Sequence, residues 1–188
     1  TVALGGAALG FASLGKASVD AASNMAETQS KVAVIFGDQA KAIEAFSANA
    51  AKAFGQSKQQ AMDAAAGFAT FGKAAGLQGA GLTEFSTKLT GLASDMASFS
   101  NTSPEDAIEA LGAALRGESE PIRRYGVMLD DATLKNAALK MGIYNGKGAL
   151  DAKSKSLAAY QAILDQTKDA QGDFARTSDG LANKQRIM

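Results

Sequence analysis

Apolar side chains along this chain return every three or four residues and almost nowhere alternate, so the spacing predicts helices and no sustained strand. Glycines and capping residues cut that pattern into short and medium lengths. The expected class is all-α, an irregular, largely antiparallel bundle. At 188 residues the chain can form one domain of ordinary size or two small ones. Its apolar fraction of 46% is ordinary, but roughly a fifth of the residues are alanine, aromatics make up 6% and tryptophan is absent. Alanine favours helix, yet a methyl buries little area at about 25 cal/mol per Å². Such helices must approach closely, and stabilisation by neighbouring copies or a surrounding shell is expected.

Composition divides the chain into an apolar glycine and alanine segment at 1–15, a helical subdomain at 16–100 and a second at 101–188. The run from Thr1 to Gly15 reads as the edge of a longer hydrophobic region, short of the roughly 20 residues that span a bilayer. The chain is therefore expected to be a piece of a longer protein.

From Lys16 to Phe36, Val19, Ala22, Ala26, Val32, Ala33 and Phe36 keep helical spacing, and Gly37 ends the run. Asp38 is expected to cap a helix with Ile43, Phe46, Ala50 and Phe54 on one face, ending at Gly55. Ser57 and Gln60 form a capping box ahead of Ala61, Ala65, Phe68 and Phe71. Gly72, Gly76, Gly79 and Gly81 are expected to loosen the chain beyond. Leu82, Phe85, Leu89, Leu92, Met96 and Phe99 then form an unbroken heptad seam, the core-facing stripe of a helix that needs a partner. Packing between copies is the sharper version of that expectation.

Ser103-Pro104-Glu105-Asp106 combines a capping serine, a proline at the first helical position and a carboxylate at the third, within a helix expected over Asn101 to Leu115. Gly117 can end it in the left-handed conformation, and Pro121 restarts the chain as one or two turns closed by Gly126. The outcome is a charged elbow. Asp130-Asp131 caps a helix facing inward through Leu134, Ala138 and Met141, with Lys135 and Lys140 near its negative end and Gly142 as its stop. Asn145-Gly146 is a hairpin signal with flanks for a minimal ribbon. Asp151 caps a long helix carrying Leu157, Tyr160, Ile163, Leu164 and Thr167, interrupted at Gly172 and followed by a polar helix from Asp173 to Met188.

With 19 basic and 19 acidic residues the chain is formally neutral, which disfavours a charge-driven grip on nucleic acid. It has neither cysteine nor histidine, so disulfides, thiolate chemistry, histidine-ligated metals and histidine-based triads are excluded within it. No cofactor or metal is expected. Glu105-Asp106 and Asp130-Asp131 stand where helix amino ends favour negative charge. The glycines from Gly72 to Gly81 lack the lysine and hydroxyl residue of a phosphate loop. Arg123-Arg124-Tyr125 could meet phosphate, but without a basic surround a structural role is favoured. The candidate elbow and interface residues are therefore Glu118, Glu120, Pro121, Arg123, Arg124 and Tyr125, tying helices or copies together rather than acting on a substrate.

Val32-Ala-Val-Ile-Phe-Gly37 followed by Asp38, Leu92-Ala-Ser-Asp-Met-Ala-Ser-Phe99 leading into Asn101-Thr-Ser-Pro-Glu-Asp-Ala107, Gly117-Glu-Ser-Glu-Pro-Ile-Arg-Arg-Tyr-Gly-Val127 and Gln171-Gly-Asp-Phe-Ala-Arg-Thr-Ser-Asp-Gly-Leu-Ala-Asn183 occur in that order. In these motifs the chain resembles the tail tape measure protein of long-tailed (siphovirus) bacteriophages, especially those of Gram-positive actinobacteria. The resemblance implies a structural virion protein, not an enzyme. Such a protein is long and helical, is threaded in a few copies through the tail tube, sets tail length during assembly and leaves ahead of the DNA on infection. It also implies partners: other copies, expected as a homotrimer, tail tube and distal tail or tail tip proteins, and tail assembly chaperones. Assembly would occur in the host cytoplasm, with the host membrane as a further contact on ejection. No sequence-specific nucleic acid binding is expected. The short, turn-separated helices place this module in the tail tip rather than along a continuous rod. A membrane-entering conduit built on the apolar amino end is the second expectation. A cell-wall hydrolase using Glu105, Glu118 or Glu120 is the third and least supported.

Overall fold

A computed structural model describes residues 5–187, with side chains described from Asp20 onward except Leu181. The helices are α1 (Gly5–Phe36), α2 (Ala40–Ala48), α3 (Ala50–Phe54), α4 (Lys58–Ala74), α5 (Gly79–Phe99), α6 (Pro104–Arg116), α7 (Asp131–Lys140), α8 (Ala152–Gln166), α9 (Asp173–Arg176) and α10 (Leu181–Ile187). There is no strand among the described residues, and the class is all-α. The side chains of the apolar segment 1–15 lie outside the described residues. No helix among those described is long and apolar enough to cross a membrane.

Helices α4, α5 and α6 form the centre. Gly72 of α4 faces Leu82 and Phe85 of α5, while Gln56, ahead of α4, reaches Thr90 and Ser94, so the two helices run antiparallel. The α5–α6 turn reverses direction again, leaving α4 and α6 parallel and side by side, each packed on α5. Phe68, Phe85, Leu89, Leu92, Met96, Leu111, Ile122 and Ile163 fill the main core. This core draws on both sides of the expected boundary at residue 100, which therefore falls inside packed structure rather than at a linker. Val32, Phe36, Ile43, Met62 and Leu82 join the carboxyl end of α1 to α4. Ala137, Ala138, Leu150, Ala158 and Ala162 hold α7 to α8 through alanine methyls, the close approach that the composition demands.

Several local expectations change. Asp38 does not cap α2: it sits inside a 3-10 turn, Gly37–Gln39, that follows α1 after Gly37 (φ 55°) ends it, and the residue before α2 makes no side-chain cap. Asn49 splits the next expected helix into α2 and α3. Asn101 does not open α6 but ends α5, in the left-handed conformation (φ 52°) that asparagine tolerates. No hairpin forms at Asn145-Gly146. Lys147 N–H donates to Asn145 Oδ1 and the Tyr144 hydroxyl to the Gly148 carbonyl, closing a loop with Gly146 and Gly148 at positive φ. The segment from Asp173 breaks between α9 and α10, and α8 stops at Gln166, six residues short of Gly172.

Gly72 is not a flexible joint. It lies inside α4, where an added Cβ would stand 2.6 Å from Leu82 Cδ1 and 3.1 Å from Phe85 Cδ1. Glycine here permits the α4–α5 contact, whereas Gly81 in α5 has nothing within 4 Å. Gly72→Val is expected to destabilise by about 1–3 kcal/mol through overpacking. Gly81→Ala is expected to stabilise by about 0.5–1 kcal/mol through helix propensity. Urea titration of both variants checks this, and equal effects would refute the packing role.

Candidate functional site

The elbow is built by local chemistry. Ser103 accepts from Asp106 N–H, and Asp106 accepts in return from the Ser103 amide, so α6 starts with both orphan donors satisfied and Pro104 in its first turn. At its end Gly117 (φ 95°) lets Gly117 N–H reach the Ala114 carbonyl and Glu118 N–H the Ala113 carbonyl. Pro121–Tyr125 follows as a 3-10 turn stopped by Gly126 (φ 78°). Ile122 and Val127, both 0% exposed, anchor the turn in the main core.

The charges stay close to home. Glu120 pairs with Arg123 at 2.7 Å, and Glu118 pairs not with Arg123 or Arg124 but backwards with Arg116 at 2.9 Å. The Arg124 guanidinium lies 5.5 Å from the centre of the Tyr125 ring. Exposed pairs of this kind contribute only about 0–1 kcal/mol each, so buried Ile122 and Val127 hold the elbow more firmly than its ions do. Glu105 and Glu118 stand at opposite ends of the 13-residue α6, about 20 Å apart along the axis. That exceeds the roughly 5–9.5 Å at which two carboxyl groups share a glycosidic bond. Among the described residues no acidic cluster is placed to hold a metal ion.

Tyr125 reaches beyond the elbow: its hydroxyl and Thr102 Oγ1 share a 3.0 Å hydrogen bond at the α5–α6 turn. The same turn receives the carboxyl-terminal segment. Asp95 accepts from Gly172 N–H at 2.8 Å and Phe174 N–H at 3.1 Å, which holds the amino end of α9 against α5. Ser98 donates to Asp173 at 2.7 Å and accepts from Asn183 at 2.9 Å, and Arg186 donates to the Thr102 carbonyl. Arg176 closes the α9 loop on the Asp169 and Gln171 carbonyls. Phe174, 1% exposed, inserts beneath this polar latch against Gly55. Residues from 92–107, 117–127 and 171–183 thus meet at one junction. None of these partners of Asp95 and Ser98 is visible as a local pattern, since they lie more than 70 residues away in sequence.

Burial raises the Asp95 carboxyl above the usual 3.8, outweighing the two backbone N–H groups that lower it; nearby Asp173 raises it further and Arg176 lowers it. Below 3.8 the folded and unfolded chains both carry the proton; between 3.8 and the higher folded value the folded state alone keeps it. Asp95 therefore contributes more stability in acid, and loses that part as pH rises through the window. The stability of the wild type relative to Asp95→Asn is expected to be larger at pH 3.5–4 than at pH 7, by chemical unfolding at each pH. A difference that grows with pH would contradict this.

The seam is split. Leu82, Phe85, Leu89, Leu92 and Met96 are buried within the chain, whereas Phe99 is 58% exposed. Gln56, just ahead of α4, lies beside Ser94, so α5 runs past the start of α4 and its last turn has no α4 opposite. Gln56 itself was not marked by the sequence: it is 1% exposed, and its amide donates to the Thr90 carbonyl and to Ser94 Oγ. Comparison of the chain with known protein families, with curated proteins and with solved structures finds no match.

Proposed function

We propose that this chain is a structural module of a phage tail tape measure protein, present in several copies in the tail tube or tail tip. In that role it contributes to tail length and assembly and leaves ahead of the genome on infection. One observation supports the reading above others. The residues that carry the resemblance from 92 to 107, 117 to 127 and 171 to 183 converge on a single junction through Asp95, Ser98, Thr102, Tyr125 and Phe174. Distant segments brought together into a hydrogen-bonded joint suit a structural part better than a substrate site. The partners are other copies of the chain, as a trimer, with tube and distal tail proteins around them and tail assembly chaperones during assembly.

Purified virions provide the test. Peptides of this segment are expected in intact particles by mass spectrometry, with lysine crosslinks to tube or tip proteins and helical density in the tail by electron microscopy. Absence of the segment from intact tails would overturn the proposal.

A further inference from the structure

Parallel α4 and α6 leave a mostly apolar groove between them of about 440 Å³. Their amino ends are joined by Gln60 Nε2 donating to Glu105 Oε1 at 2.6 Å. Ala64, Gly67, Phe68, Phe71, Ile108 and Gly112 line it. A Cβ on Gly67 would meet nothing within 4 Å, so the wall is open to an incoming side chain. Asp63, Glu105 and Glu109 stand along it against Arg116, whose charge is already engaged by Glu118, while Lys31 lies 3.9 Å from Asp63. At the end near the start of α4 is Gln56, with its Oε1 buried and unpartnered. The groove is apolar and its border is acidic.

A surface of the opposite character lies at the α7–α8 corner. Gly142 ends α7 in the left-handed conformation, with Ile143 N–H bonded to the Ala138 carbonyl and Gly142 N–H to that of Leu139. This leaves Leu139 47% and Ile143 37% exposed at one helix end. Lys140 at the end of α7 and Lys147 in the loop beyond it are both exposed, with Asp165 3.8 Å from Lys140. The Asn145 and Tyr144 hydrogen bonds hold the loop in shape, so little ordering cost attends its docking.

We infer that the α4–α6 groove receives the α7–α8 corner of a second copy of this chain. Leu139 and Ile143 enter the apolar floor, and Lys140 and Lys147 meet the Glu105 and Glu109 border. Groove against groove or corner against corner would set like charges together, which disfavours a self-complementary pair. The contact is heterologous, and such contacts build rings or filaments according to whether the rotation closes. The inference stands on these two surfaces alone and does not require the tail reading.

Sedimentation of the full chain tests it. The wild type is expected to self-associate with rising concentration, and to do so at least about tenfold more weakly at high salt. A groove variant, Glu105→Lys with Glu109→Lys, and a corner variant, Lys140→Glu with Lys147→Glu, should each remain monomeric at 19.1 kDa. Mixed in equal amounts, they should associate again and grow with concentration, because each groove then meets a corner of opposite charge on the other variant. Leu139→Asp, at an exposed position that leaves the Gln60–Glu105 bond untouched, should abolish association as well, with the helical circular dichroism unchanged. A wild type that is monomeric throughout, or a mixture that stays monomeric, overturns the inference and leaves the groove to a different partner. Loss of association would leave the virion test of the tail reading unaffected.

Discussion

Phe174→Ala is expected to lower stability by about 3–5 kcal/mol, the range for removing a fully buried phenylalanine. The ring is 1% exposed, and an added Cβ at Gly55 would come within 2.7 Å of it. Gly55 is at φ 62° and ends α3 there, so the close approach and the helix stop are met by one residue. The loss extends beyond the cavity. Asp95 holds the Gly172 and Phe174 amides, and Ser98 holds Asp173 and Asn183, so loosening the ring also exposes a polar network that is satisfied only when docked. Thermal unfolding should shift down by roughly 6–20 °C for a chain of this size. Equilibrium unfolding in urea provides the free energy. A loss below 1 kcal/mol would mean that the carboxyl-terminal segment is not part of the cooperative unit.

Leu89→Ala is expected to lower stability by about 2–5 kcal/mol, and Phe99→Ala to stay within about 0.5 kcal/mol. Both belong to one heptad seam in the sequence. Leu89 is 0% exposed in the main core that α5 shares with α4, α6 and α8, and its removal leaves a cavity in that core. Phe99 sits on the last residue of α5, 58% exposed, past the point where α4 begins. Urea titrations at low protein concentration measure both. A Phe99 loss as large as that of Leu89 would place the ring in an interface rather than in solvent, and would show as a dependence on protein concentration.

The seam illustrates what periodicity conveys. It identifies the side of α5 that faces a partner, and five of the six residues lie on the core; where the partner begins and ends is not contained in the spacing. The elbow was legible nearly residue by residue, because Ser103, Pro104, Gly117, Pro121 and Gly126 each act on neighbours within a turn. Its charges were less so. Glu118 turns back to Arg116 because the left-handed Gly117 reverses the chain between them, which a list of nearby opposite charges does not reveal.

By itself the sequence determined the helical class, the capping boxes at Ser57 and Ser103, the aspartate caps at Asp130 and Asp151 and the glycine stops, since all depend on interactions spanning three to six residues. Only the tertiary structure decided that Gly72 is a contact point, that Gln56 is buried, that Asp95 holds α9 and that residues 92–107, 117–127 and 171–183 share a junction. These features arise where segments distant in sequence are forced within a few ångströms by burial of the core. Burial is non-directional, and the geometry that it selects emerges only once all the helices have packed.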